Sequence, residues 1–281
     1  MLTSTFSELA SGYDRAVAVA RAERPKTAIA VVVLIAVSVA LPAAGVSEPS
    51  AERAPAPLNA AAAAPPGGAS GAPVPSQAAR IEAMALYERG LRRAVERRHQ
   101  GAIDLFKKAI ALDPAFAAAH FHLANALAAQ GRYRAACAAY DETLRLEPEH
   151  VGARLAQATT LVLDGRCREA RDRLREGLLA MPDDLELTHG LARLLVTCPD
   201  PDIRDGQAAL ELARRVYDHT PNLVRGETVG MAYAESGAFE EAARWQAALV
   251  EQAERLGDPA WVARLRVNLE RYERGELHQA P

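Results

Sequence analysis

Along the middle of the chain, apolar side chains recur at i, i+3, i+4 and i+7, the spacing that lines one face of an α-helix. Leu86, Gly90 and Leu91 trace this face in one segment, and Ile103, Phe106, Ala109 and Ile110 trace it in the next. The helical pattern stops abruptly in "KKAIALDPAFAAAHFHLANAL", where two such segments meet at Pro114 with almost no loop between them. Proline lacks a backbone N–H and pushes the preceding residue out of the helical region, so it closes one helix and can open another.

The same break recurs. Pro114, Pro148 and Pro182 are spaced 34 residues apart, in the contexts "AIALDP", "TLRLEP" and "GLLAMP". Ala102, Ala136 and Ala170 keep that interval, as do Gly131 and Gly165. A fixed period of this length is the mark of a repeat architecture. Each unit reads as two helices, separated by a glycine turn ("AQGRY", "LDGRC") and ended by proline. Small residues such as Gly90, Ala102 and Ala136 let neighbouring helix axes approach closely. Alanine is abundant and strand patterns are nearly absent, so the fold class is all-α.

These residue types at this period resemble the tetratricopeptide repeat family. One unit supplies Leu86, Gly90, Ala102, Phe106, Ala109 and Pro114; the next supplies Leu123, Ala124, Leu127, Ala136, Tyr140 and Pro148. A third supplies Leu161, Gly165, Ala170, Leu174 and Pro182. The fourth supplies Leu191, Ala192, Leu195, Ala209 and Pro221, stretched by "TCPDPDIRDG". The fifth supplies Gly230, Tyr233, Gly237, Phe239 and Ala242 and lacks the closing proline. The resemblance implies a right-handed α–α superhelix over residues 78–256, with units at 83–116, 117–150, 151–184, 185–222 and 223–256. Residues 257–281 then hold a capping helix, with Trp261, Leu265, Leu269 and Tyr272 on one face, and a tail. The stretch "LARLLVTCPDPDIRDGQAALELARRV" further resembles an extended unit found near the C-terminus of many bacterial proteins of this family.

In such superhelices the first helix of each unit lines an extended concave surface that holds another chain. By resemblance, the lining positions are Tyr87 and Leu91, Phe121 and Asn125, Leu155 and Thr159, His189 and Arg193, and Glu227 and Met231. Tyr87 and Phe121 suit apolar side chains, and Asn125 suits a peptide backbone. The first three units place no Lys or Arg on this track, so the clamp that chaperone-binding members use for two carboxylates is absent.

The first 80 residues differ in kind. Residues 28–41, "AIAVVVLIAVSVAL", carry no charge, and the apolar run continues to Val46. This approaches the roughly 20 residues that cross a bilayer. Arg15, Arg21, Arg24 and Lys26 precede it and Glu48 follows. The excess of positive charge on one side puts residues 1–26 in the cytoplasm, residues 27–46 across the membrane and the repeats outside. A cleaved signal peptide, with small residues from Ala43 to Gly45 near a cut, is the alternative, giving a secreted periplasmic protein. Phe6, Leu9, Tyr13 and Val17 share one face of a possible amphipathic helix. Residues 47–77, rich in Pro, Ala and Gly, read as a disordered tether.

A net charge of −3 implies no polyanionic partner. Basic residues such as Arg92, Arg93, Arg97 and Arg98 are interleaved with acids, which disfavours nucleic acid. No phosphate loop, nucleophile elbow or zinc-protease motif occurs. His120 and His122 are two apart, so a helix points them different ways. The expectation is therefore a non-enzymatic adaptor with no cofactor, metal or small-molecule substrate, whose partner is a protein or peptide. The alternative is an accessory subunit of an envelope enzyme complex, for example in glycosyl transfer. Finally, Cys167 and Cys198 fall at equivalent turns of stacked units and are the pair that a disulfide would join if one forms, with Cys137 left over. The alternative is that all three are small apolar fillers.

Overall fold

A computed structural model describes residues 75–278, which form eleven α-helices and no strand. The helices are α1 (Gln77–Val95), α2 (His99–Leu112), α3 (Ala117–Ala129), α4 (Tyr133–Leu146), α5 (Val151–Leu163) and α6 (Cys167–Ala180). They continue as α7 (Leu185–Thr197), α8 (Gly206–His219), α9 (Leu223–Glu235), α10 (Phe239–Leu256) and α11 (Pro259–Glu273). The proposed cytoplasmic segment 1–26, the spanning segment 27–46 and the tether up to residue 74 lie outside the described residues. Among the described residues no helix is long and apolar enough to cross a membrane.

Each helix boundary has a local cause. Asp113, Glu147, Met181 and Thr220 precede prolines, and all four leave the helical region, with φ between −131° and −145°. This is the steric effect of a proline ring on the residue before it. Gly131, Gly165 and Gly237 take φ of 73°, 76° and 83° at the turns inside their units, where a side chain is penalised. The first unit has no glycine at this place. Arg97 occupies it with φ 57°, at a cost of about 1 kcal/mol. Helix α1 starts at Gln77, ahead of the unit boundary expected at residue 83, because Ser76 caps it: its hydroxyl accepts from the Ala79 amide at 3.2 Å.

Consecutive helices pack as antiparallel pairs. The first helices of successive units also touch each other, α1 with α3, α3 with α5, α5 with α7 and α7 with α9, while the second helices make no comparable contact. The array therefore curves with the first helices on the inside. Ala102, Ala136, Ala170, Ala209 and Ala242 are fully buried at the pair interfaces. At Gly90 a Cβ would stand 2.5 Å from the Phe106 ring, so this glycine lets α1 lie against α2. The fourth unit's insert is drawn onto the core: Ile203 is buried, and the Asp205 amide donates to Leu195 O at 3.0 Å. Helix α11 covers the last pair, burying Leu265 and Tyr272 fully.

Candidate protein-binding face

The inner side of the curve carries ten positions of interest, two per unit, and the structure divides them into an open half and a closed half. The open half begins with Tyr87 on α1. Its half-buried ring lies 5.9 Å from Phe106, 4.9 Å from Phe116 and 5.6 Å from His122. Leu91, one turn on, is half-buried against the same apolar cluster. On α3, the half-buried Phe121 meets His122 at 5.2 Å, Tyr140 at 6.1 Å and His150 at 4.8 Å. His150 has a second task. Its Nδ1 accepts from the Ala153 amide at 3.1 Å and so caps α5. These contacts make a continuous aromatic stripe across α1, α3 and the start of α5, with ring spacings that favour tilted packing.

Asn125 is held differently from the expectation that it waits for a peptide backbone. Its Oδ1 accepts from Tyr140 Oη at 2.5 Å, and its Nδ2 is enclosed without a partner. Thr159 spends its hydroxyl on Leu155 O, 2.9 Å away on its own helix. Leu155 is half-buried against α7, where a Cβ at Gly190 would collide with it.

The closed half lies at α7 and α9. His189 Nε2 is 3.0 Å from Thr228 Oγ1. Burial, followed by the charges of Arg193 and Arg225, pushes the His189 imidazole down to about 4, so it is neutral at pH 7. Two expected lining residues are not available to a partner. Met231 is 3% exposed and packs in the main apolar cluster. Glu227 is 2% exposed, and both its oxygens are taken by Arg264 of α11, Nε to Oε1 at 2.9 Å and the terminal nitrogen to Oε2. For Glu227 the physical reason is the capping helix, whose arginine reaches back across 37 residues; Met231 is covered by apolar side chains of α7 and α8. Arg193 is half-buried on α7; burial lowers its pKa, and the nearby Glu227 carboxylate opposes that.

At one edge of the array, Cys167 at the start of α6 and Cys198 at the end of α7 are joined, with Cα atoms 6.4 Å apart. Cys137 is buried nearby in the same apolar cluster. Burial pushes its thiol up to about 11. Among the described residues, no three His, Cys, Asp or Glu side chains gather in a way that could hold a metal ion.

Comparison with known proteins agrees with this architecture. Residues 98–131 match the family described as TPR repeat, and residues 127–195 match the one described as tetratricopeptide repeat. No curated protein matches the chain. Among solved structures, the crystal structure of the MamA protein superposes with a TM-score of 0.52 at 16% identity, covering 62% of this chain and 93% of that one. The 41-end form of MamA from Desulfovibrio magneticus RS-1 gives 0.53 at 18% identity, over 63% and 97% of the two chains. At this identity the likeness is one of fold. The chain therefore contains tetratricopeptide repeats, set in an all-α solenoid.

Proposed function

We propose that the chain is a non-enzymatic scaffold that holds a protein or peptide partner on the inner face built by α1, α3 and α5. The observation that carries this reading is the aromatic stripe of Tyr87, Phe121, His122 and His150, half-buried where α1, α3 and the start of α5 meet. Large, stiff, amphipathic rings of this kind anchor interfaces because they desolvate much area at small entropic cost. The scaffold sits at the outer face of the cytoplasmic membrane, tethered by residues 27–46. Supporting this location are the uncharged run preceded by Arg15, Arg21, Arg24 and Lys26, and a cysteine pair suited to an oxidising compartment.

Two measurements test the proposal. Replacing Tyr87 and Phe121 together by Ala weakens partner binding by about 2 kcal/mol or more while the helical circular-dichroism signal is kept. Unchanged affinity in the folded variant removes this face. Mass spectrometry of the membrane-bound protein recovers peptides from residues 1–26. A uniform N-terminus near Val46 instead means that the segment is cleaved.

A further inference from the structure

Helix α1 packs against α2 and touches α3. Ala83 and Gly90 mark the side it buries, Ala83 beside Ala109 and Ala119, and Gly90 beside the Phe106 ring. The opposite side of α1 ends the array. Ile81, Met84, Glu88, Arg92 and Val95 stand there, spaced at i, i+3, i+7, i+11 and i+14 along one face. All five are exposed, and Ile81, Met84 and Val95 keep 63%, 47% and 85% of their surface open. At the far end of the array α11 covers the last pair. Among the described residues nothing does the same for α1, although an end unit that stays alone needs a polar outer face.

The charges within this stripe select what covers it. Glu88 lies at its middle, seven residues from Ile81 and seven from Val95. A carboxylate in that place does not suit an acyl or purely apolar surface. Arg92 stands one turn further on. The neighbouring Arg93 and Arg98 both pair with Glu96, while Glu88 and Arg92 form no ion pair among the described residues. A second α1 laid antiparallel, about a two-fold axis level with Glu88, matches the stripe to itself. Ile81 of each copy then meets Val95 of the other, and Met84 meets the aliphatic stem of Arg92. Each Glu88 comes within about 6 Å, along the helix axis, of the other copy's Arg92.

We propose that the outer face of α1 is the interface of a symmetric dimer, in which two copies of the chain pack antiparallel through Ile81, Met84, Glu88, Arg92 and Val95. The apolar ends exclude water, and the two Glu88–Arg92 pairs at the centre fix the register. One helix against one helix is a small interface, so the dimer is reversible. The inference does not depend on the reading of the inner face, where Tyr87 packs toward Phe106 and Phe116.

The test uses the purified full chain in mixed micelles of detergent and phosphatidylglycerol, with half of the protein labelled with nitrogen-15. A benzophenone amino acid replaces Val95. Irradiation is expected to give a covalent dimer in which position 95 of one copy is joined to the tryptic peptide that starts at Ile81 of the other. Mass spectrometry identifies it by its mixed isotopes. Glu88→Arg sets like charges against each other across the axis, and the yield of this dimer falls by about tenfold. Glu88→Arg combined with Arg92→Glu restores it, which chance association of the apolar segment 28–41 in a micelle would not do. Thermal melting checks that each variant is folded. A yield unchanged by Glu88→Arg, or one that the double variant fails to restore, overturns the two-fold pairing. So does the absence of a covalent dimer. A link to α11 of a second copy means head-to-tail stacking instead, a link to residues 1–74 means that the chain covers its own end, and a link to lipid alone means a membrane surface. Each of these also overturns the proposal.

Discussion

Cys167, the first residue of α6, and Cys198, the residue that ends α7, are joined across two successive turns with Cα atoms 6.4 Å apart. The bond spans 31 residues of sequence and ties the start of the fourth unit's insert to the third unit. In the chain-entropy view such a closure stabilises by about 3.7 kcal/mol. Thiol counting checks it. Denatured, unreduced protein should label one cysteine, Cys137, and reduced protein three. Replacing Cys167 and Cys198 together by Ala should lower the unfolding free energy by a similar amount. Three labelled thiols without reductant would remove the bond.

The Glu227–Arg264 pair makes a second prediction. Glu227 is buried and Arg264 half-exposed, so losing the arginine strands a carboxylate in the interior. Arg264→Met should cost about 3 kcal/mol. The double variant Glu227→Met with Arg264→Met should recover most of that loss. A cost below 1 kcal/mol for the single variant would mean that water replaces the arginine.

Much of this architecture was legible in the sequence. The proline period marks the unit boundaries because the steric rule acts on the residue directly before the ring, as at Asp113 and Glu147. The alanines at the 34-residue interval are buried because helix pairs leave no room there for more. Other features were hidden for physical reasons. Arg97 takes a glycine-like conformation that residue type does not announce. The closure of Glu227 depends on α11 folding back over the last pair, and that of Met231 on the apolar side chains of α7 and α8, long-range contacts that a local period cannot encode. His150 as a helix cap escapes a search for Ser, Thr, Asp and Asn.

Gly206 tests the packing of the insert. A Cβ there would stand 2.4 Å from the Ser236 backbone nitrogen and 2.6 Å from the Glu235 carbonyl carbon. Backbone cannot swing aside as a side-chain tip can. Gly206→Ala should therefore destabilise by about 1–3 kcal/mol, seen as a lower urea midpoint. The same change at Gly101, where the nearest atoms belong to the Arg93 side chain at 3.9 Å, should be near neutral or stabilising.

Stability should also fall in mild acid. Burial, with a smaller contribution from His150, pushes His122 down to about 4 from its ordinary 6.5. Above pH 6.5 the ring is neutral in both folded and unfolded chains and costs nothing. Between pH 6.5 and 4 the unfolded chain takes up a proton that the folded one refuses. The folded state then loses up to about 3 kcal/mol at this residue. Denaturant melts at pH 7.5 and 5 should show the loss, and His122→Phe should reduce it. An equal acid loss in the variant would assign the effect elsewhere.

The most direct test of the scaffold is site-specific photo-crosslinking of the full chain in cells. A benzophenone amino acid replaces Phe121 on the inner face in one sample and Leu179, 83% exposed on the second helix α6, in another. Position 121 should trap a discrete partner, and the yield should fall when Tyr87→Ala is added, while position 179 traps none. A partner captured at 179 and not at 121, or at both alike irrespective of Tyr87, would contradict binding on the face of α1, α3 and α5.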